Sequence, residues 1–322
     1  MKKVISGVKP TGKIHFGNYF GAIQQFIKLQ DEFENFIFIA DFHSITSQKN
    51  PELLREQIME IAINYIALGL DPEKNTIFKQ SDVPEVCELA WILNCITPFS
   101  LLERGHAWKD AKNNPEREQN VGLFDYPVLM ASDILIYNAD LVPVGKDQTQ
   151  HIEITRDIAK SFNNTYGETF KIPEGYIVEN FKTIKGTDGK KMSKSYNNTI
   201  EIFSDEKIIK KQIMSIVTDS KKVEESKDPE ECNIFQILKL ITSTKEIEEI
   251  SKRYKTGTIG YGEAKNILYE KTLEYFKEAR EKYYELKENP SYVLEVLENG
   301  KEIAQKIAKE KIKDIRQKIG LS

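Results

Sequence analysis

The chain is 322 residues long, enough for roughly two domains and a sizeable core. Charged residues make up 30 % and apolar ones 40 %, the balance of a globular protein, which excludes a disordered chain. The net charge of −4 does not announce a nucleic-acid binder, although local basic patches suffice to hold an RNA briefly.

Met1-Lys2-Lys3 looks like the start of a secretory signal, but only Val4-Ile5 follows before Ser6-Gly7. No secretory segment and no membrane-spanning run is expected, and the cytoplasm is the default location. Cys87, Cys95 and Cys232 have neither paired metal spacing nor an even count, so reduced thiols in or near the core are expected. The four histidines are scattered, and no metal site is expected from them.

Val4-Ile5-Ser6 reads as a short buried strand that enters a Gly/Pro turn, and a helix follows from Asn18 with Ile23, Phe26 and Ile27 on its core side. Strand, turn, helix opens a nucleotide-binding α/β unit, whose ligands bind at the C-terminal edge of the strands. His15 can donate to phosphate oxygens, and Lys9 and Thr11, on either side of Pro10, supply further donors. Gly17 and Gly21, four apart, either let a flat base approach the backbone or serve tight helix–sheet packing.

Phe36 to Ala40 is an apolar run typical of a buried parallel strand, and it ends in the polar cluster Asp41-Phe42-His43-Ser44. Asn50 caps a helix with Pro51 in its first position; Leu54, Ile58, Ile61, Tyr65 and Leu68 form its stripe, and it stops near Gly69. Thr76-Ile77-Phe78 is another strand, so the alternation argues for a parallel sheet. From Pro84 to about Pro115 the pattern is helical, with Val86, Leu89, Ala90 and Leu93 on one face.

In the stretch from Tyr126 to Leu135, Asp133 stands in an apolar setting, where a carboxylate needs a donor. That donor is either the N–H or O–H of a bound ring or a local helix contact. Met130, about one turn earlier, offers a soft surface to an aromatic ring, and Tyr126 returns to the same face. Leu141 to Val144 reads as a strand, followed at once by Gly145-Lys146-Asp147-Gln148 and a helix through Ile152 and Ile158. Asp147 there can accept both hydroxyls of a ribose, and Gly145 admits the sugar closely.

The basic loop Lys191-Met192-Ser193-Lys194-Ser195 follows the glycine-bearing turn Gly186 to Lys190. Such a loop can close over a polyphosphate and neutralise charge on a departing pyrophosphate; taken alone, it also reads as a solvated turn. From Ile200 onward helical patterns take over. Tyr269, Leu273, Phe276 and Tyr283 form a stripe that reads as core rather than as a base-stacking surface. Lys301 to Leu321 forms a last amphipathic helix, with Ile303, Ile307, Ile312, Ile315 and Ile319 inward and lysines outward.

Three of these segments, the one from Gly7 to Ala22, Val142 to Gln148 and the basic loop, together resemble the class I aminoacyl-tRNA synthetases. The form P-T-G-x-x-H-x-G-N-Y-x-G-A with an uninterrupted K-M-S-K-S resembles their bacterial tryptophanyl branch, over nearly the whole chain. The resemblance implies an α/β fold: a Rossmann-like parallel-sheet catalytic domain (residues 1–190) with a helical insertion around 84–118. A smaller all-helical domain that carries the basic loop and binds the anticodon would span 191–290, and a C-terminal helix, 291–322, would pack back on the catalytic domain. It implies a two-step ligase that uses ATP, with Mg2+ carried on the nucleotide, to activate L-tryptophan and load tRNA(Trp). It further implies a homodimer joined through the insertion, with no DNA or membrane partner.

By the same resemblance His15, Lys191 and Lys194 act on the leaving pyrophosphate, with Ser193 assisting. Lys9, Pro10, Thr11, Gly17, Asn18, Gly145, Lys146 and Asp147 hold the nucleotide, Ile184 lies beside the adenine, and Met192 and Ser195 complete the loop. Asn18 stands where the wider class has a histidine, and it keeps a donor that does not titrate. Asp133 accepts the indole N–H and Tyr126 reaches the substrate ammonium. His43, Met130, Gln148, Ile5 and Gly7 complete the amino-acid pocket. Two rivals remain: a tyrosyl enzyme on the same fold, since Asp133 also accepts from a phenol, and a non-catalytic relative that binds RNA or senses tryptophan.

Overall fold

The structure is a computed structural model that describes residues 1–114, 119–145, 149–177 and 184–321. Five parallel strands form one sheet in the order β3-β2-β1-β4-β5. They are β1 (Lys3–Val8), β2 (Glu34–Ile39), β3 (Asn75–Lys79), β4 (Leu141–Val144) and β5 (Glu174–Ile177). The order reverses between β1 and β4, so the loops that leave those two strands splay apart and open a crevice at their C-terminal ends. The strands expected around Ile5, Phe38, Ile77 and Val142 are all present.

Both faces of the sheet are covered, as a parallel sheet requires. Ile37, Ile39 and Ile77 face one core, which continues into the helices beyond residue 200. Phe36, Phe38 and Phe78, offset by one residue, face the other. Gly7 pairs in register with Phe38. A β-carbon on Gly7 would come within 2.3 Å of the Phe38 ring, so β1 lacks a side chain there because that ring lies across it.

The helix α1 (Pro51–Ala67) starts as the sequence implies. The Asn50 side chain accepts from the N–H groups of Glu52 and Leu53 at 3.0 and 3.1 Å, and Gly69 ends the segment at φ +107°. The helix after β1 begins two residues earlier than expected, at Phe16 with His15 as its cap, and a π turn, Tyr19–Ile23, links it to Gln24–Leu29. The π turn opens one backbone register in the segment that carries Gly17 and Gly21.

The insertion is helical: α2 (Glu85–Asn94), then Phe99–Glu103 and His106–Asn113. Val86, Leu89, Ala90 and Leu93 of α2 are buried, as expected. Cys87 and Cys95 are not in the core. They alternate with Trp91 at helical spacing on the outward stripe of α2, where Trp91 is 70 % exposed.

The helix α3 (Val121–Leu135) bears Asp133, and α4 (Thr149–Tyr166) follows β4. In α5 (Tyr261–Tyr275) and α6 (Lys277–Glu288) the aromatic stripe is core: Phe276 packs 5.4 Å from Phe16 and 5.1 Å from Tyr19. The last helix, α7 (Ser291–Ile319), packs on β3 and α2. Of the expected isoleucine stripe, Ile312 and Ile315 are buried and Ile307 and Ile319 half-buried, while Ile303 departs from it. Ile303 is 49 % exposed, whereas Gly300, Ala304 and Ala308 are buried, and at Gly300 the helix comes too close to the Ile77 backbone for a side chain. Among the described residues no helix is long and apolar enough to cross a membrane.

Candidate functional site

The loop after β1 is joined by backbone to the segment that follows the basic loop, far away in sequence. Phe16 N–H donates to the Ile200 carbonyl at 3.0 Å, and Ile202 N–H to the Ile14 carbonyl at 3.1 Å. The basic loop itself starts as a hairpin. Met192 N–H donates to Ile184 O at 2.8 Å and Gly186 N–H to Lys190 O at 2.7 Å, with Gly189 at φ +79° in the turn. Met192 is buried and docks the loop, its thioether accepting the Gly17 N–H at 3.3 Å. A β-carbon on Gly17 would press on the His15 ring at 3.0 Å, while Gly21 faces open space. Of the two readings of these glycines, close packing therefore fits Gly17 and free approach fits Gly21.

His15 is buried, and its Nδ1 has no hydrogen-bond partner among the described residues. Burial, aided by the nearby Lys194 charge, pushes its pKa down to about 4 against the pull of Glu201. The ring is therefore a neutral hydrogen-bond donor at neutral pH rather than a cation. Lys194 is exposed as a whole, but its ammonium turns inward to the Thr11 carbonyl, and loss of water there lowers its pKa to about 8. Lys191 and Ser195 are exposed, and the Ser193 and Ser195 hydroxyls are 2.8 Å apart. Lys9 lies 3.5 Å from the Thr46 hydroxyl, and burial lowers its pKa. Pro10 is buried between exposed neighbours, and Asn18 accepts the His15 N–H at 3.2 Å.

Asp133 is 2 % exposed, with His43 Nε2 at 3.0 Å from its Oδ2. Gln80, at the end of β3, donates to both of its oxygens at 3.0 and 2.8 Å. Burial raises the Asp133 pKa, and the bonds from His43 and Gln80 oppose that rise. The Tyr126 ring lies 6.2 Å from that of His43, and its hydroxyl is 3.0 Å from His151 Nε2. Burial pushes the Tyr126 pKa up to about 12, so its hydroxyl keeps its proton. A cavity of ≈560 Å³, lined in part by Phe42, Thr46, Cys87 and Tyr126, borders this cluster. A larger one, ≈810 Å³, lies at the opposite edge of the sheet beside Lys3 and Asp140 and is separate from the site.

His15 and the basic loop meet after β1, while the buried Asp133 is held by residues that follow β2 and β3. The family model for class I tRNA synthetases (W and Y) matches residues 1–277. The chain belongs to that family. A tryptophan–tRNA ligase of Fusobacterium nucleatum is 52 % identical over 100 % of this chain and 98 % of its own. The structure of a tryptophanyl-tRNA synthetase from Campylobacter jejuni complexed with ADP and tryptophan superposes with a TM-score of 0.95 at 51 % identity. That match covers 99 % of this chain and 100 % of the other. A tyrosyl-tRNA synthetase from Archaeoglobus fulgidus, at 21 % identity and TM-score 0.66 over 88 % of this chain and 90 % of its own, shares the fold.

Class I membership accounts for the α/β fold and for the place of the crevice. Of the expected site residues, His15, Gly17, Asn18, Met192 and Lys194 lie together, and His43, Tyr126 and Asp133 form a second group. Gly145 leaves β4 at the crevice and Ile184 is buried under the basic loop. Met130 is half-buried on α3. Ile5 is 1 % exposed within the core, so its side chain supports the crevice from below. Lys146, Asp147 and Gln148 lie outside the described residues.

Sequence reasoning missed Gln80, His151 and Asn198. Gln80 follows a strand end just as Asp41 does, and that position was a usable signal. Asn198, 2 % exposed, accepts the Ser193 N–H at 2.7 Å and donates to Lys191 O at 3.0 Å and to Asp188 at 2.7 Å. It thereby clamps the basic loop on both sides of Met192.

Proposed function

We propose that the chain is a tryptophan–tRNA ligase. The tryptophan carboxylate attacks the α-phosphorus of ATP, the bond to the β-phosphate oxygen breaks, and pyrophosphate leaves. A ribose hydroxyl of the terminal adenosine of tRNA(Trp) then attacks the acyl carbon, and AMP departs. The observation that carries the reading is the buried Asp133 acceptor together with a basic loop that meets the His15 segment through the Met192 thioether and the Lys194 ammonium.

His15 supports this as a neutral donor toward phosphate oxygens, and Lys194 and Lys191 as charges that meet the leaving pyrophosphate. Ser193 assists them. Thr11, Lys9 and the open face at Gly21 border the nucleotide, with Gly145 at the other side of the crevice. Asp133 takes the ring N–H, and Tyr126, whose hydroxyl lies 3.0 Å from His151 Nε2, reaches the ammonium. Mg2+ bound to ATP offsets phosphate charge. The nucleotide's own oxygens would retain it.

The outward stripe of Cys87, Trp91 and Cys95, with Phe99 at 66 % exposure beside it, supports a homodimer through the insertion. The division at about residue 190 and anticodon binding by the helices beyond it are part of the same proposal. The test is amino-acid-dependent exchange of pyrophosphate into ATP, run with tryptophan and with tyrosine. Exchange with tryptophan alone is expected. Exchange with tyrosine alone would leave the activation chemistry standing and remove the specificity, and exchange with neither would favour a binding-only protein.

A further inference from the structure

Asp133 would be costly to bury as an anion without donors, and the source of those donors determines what it can do for a ligand. Gln80 is 1 % exposed and grips the carboxylate with Nε2, 3.0 Å from Oδ1 and 2.8 Å from Oδ2. Its Oε1 accepts the His43 N–H at 3.3 Å. Two carboxylate oxygens require a donor and a backbone N–H requires an acceptor, so this amide has only one orientation that satisfies both neighbours. His43 adds its ring nitrogen at 3.0 Å from Oδ2. A carboxylate has about four acceptor directions. Oδ2 faces two donors and Oδ1 faces one, which leaves one direction on Oδ1 that no described residue fills.

We infer that Gln80 is a positioning residue for specificity: it holds Asp133 as an oriented, acceptor-only group with one remaining direction, on Oδ1, for a ring donor. The inference deepens the proposed function and rests on it. Its chemical content is that the pocket selects rings that bear a donor through a residue that need not touch the ring. A protonated Asp133 would instead present a donor to the ring and lose this selectivity. Burial pushes Asp133 toward that protonated form, and Gln80 with His43 opposes it. The other titratable groups that face Asp133 are Asp41 beside His43, Cys87 on α2 and Tyr137 beyond the end of α3. None of them is altered by a substitution at Gln80.

The experiment is pyrophosphate exchange with ATP and magnesium on the full chain, using tryptophan and β-(benzothiophen-3-yl)alanine, in which sulfur replaces the ring N–H. In the unaltered protein tryptophan is strongly preferred. Gln80→Met, similar in length but without a donor, is expected to raise KM for tryptophan by about 10- to 100-fold with KM for ATP unchanged. The tryptophan-to-analogue ratio of kcat/KM should fall toward unity. Because the tryptophan-binding form is the ionised one, the rise in KM should grow as pH is lowered, starting at a higher pH than in the unaltered protein. Gln80→Glu keeps an acceptor for His43 N–H but replaces the amide donor by a second carboxyl, which shares one proton with Asp133 and so no longer holds it as a pure acceptor. It should lose the same selectivity, and it decides the matter should Gln80→Met fail to fold. An unchanged tryptophan-to-analogue ratio in the folded variants overturns the role of Gln80 alone. An unaltered protein that exchanges with neither tryptophan nor tyrosine overturns the proposed function, and this inference with it.

Discussion

Asn198 offers the most direct way to separate the basic loop from the amino-acid pocket. Its side chain touches neither the Asp133 cluster nor any strand end, yet it holds Ser193 N–H at 2.7 Å and Lys191 O at 3.0 Å. Asn198→Ala leaves both backbone groups without their partner. At about 0.5–1.5 kcal/mol for each hydrogen bond, the ordered loop is weakened by about 1–3 kcal/mol. If the ordered loop is the form that meets the pyrophosphate, that loss appears in the barrier and lowers kcat for exchange by about 5- to 150-fold. Tryptophan affinity, measured by equilibrium titration, should stay within about twofold, since the lost bonds are confined to the loop. Asn198→Asp keeps the acceptor for Ser193 but sets a carboxylate against Asp188, whose own pKa is held down first by the Asn198 bond. It should be at least as impaired at neutral pH and recover in part on acidification, when the pair takes up a proton. An Asn198→Ala protein with unchanged kcat, or one that loses tryptophan affinity in equal measure, would refute the reasoning.

Two further expectations follow from particular contacts. Lys194→Ala should retain tryptophan binding and lose about 10²-fold or more in exchange rate, as expected when one donor to developing charge is removed. With its pKa lowered to about 8, Lys194 carries charge below that pH and loses it above, so kcat/KM for ATP should be level below pH 8 and fall as pH rises through it. Lys194→Arg should abolish the alkaline fall whatever its absolute rate, and a fall that persists in that variant would assign it to another group. At Gly300, a β-carbon would lie 1.9 Å from the Ile77 carbonyl oxygen, a backbone atom that has no rotamer to escape into. Gly300→Ala should push α7 off β3 at a cost of about 1–3 kcal/mol and lower the thermal midpoint by about 5 °C; a midpoint within 1 °C of the original would show that the seam relaxes freely.

Local signals were the legible ones. The Asn50 cap with Pro51, the apolar strand from Phe36 and the stripe on α2 each depend on neighbours within a turn or two, and each forms as read. The motif residues were legible because their chemistry is unusual for their setting: a carboxylate among apolar residues at Asp133, paired lysines after a glycine turn. What could not be read depends on distant partners. Ile303 matches the inward stripe by period, but α7 meets the Ile77 backbone at Gly300 and Ile303 is turned out. Cys87 and Cys95 are apolar enough for a core, yet they lie on the stripe that α2 turns away from it. Asn198 and Gln80 are ordinary polar residues in ordinary sequence, and only the fold brings to them the loop and the carboxylate that they hold.

The two halves of the crevice are built from unlike interactions, and that difference bears on how the site can work. Around Asp133 the bonds are buried and interlocked: Gln80 binds the carboxylate and His43 together, while Asp41 is held in turn by Ser81 at 2.5 Å. Moving any one member strands a buried polar group, so this half resists deformation and is suited to discrimination. Beyond its own hairpin and the Asn198 clamp, the basic loop meets the β1 loop through a thioether contact and a lysine resting on a backbone carbonyl, with both lysines still exposed. These contacts are weak or exchangeable with water, so the loop can trade the Thr11 carbonyl for phosphate oxygens at little cost. Substitutions in the first half should therefore register in the selection of the amino acid, and those in the second in the rate at which pyrophosphate leaves.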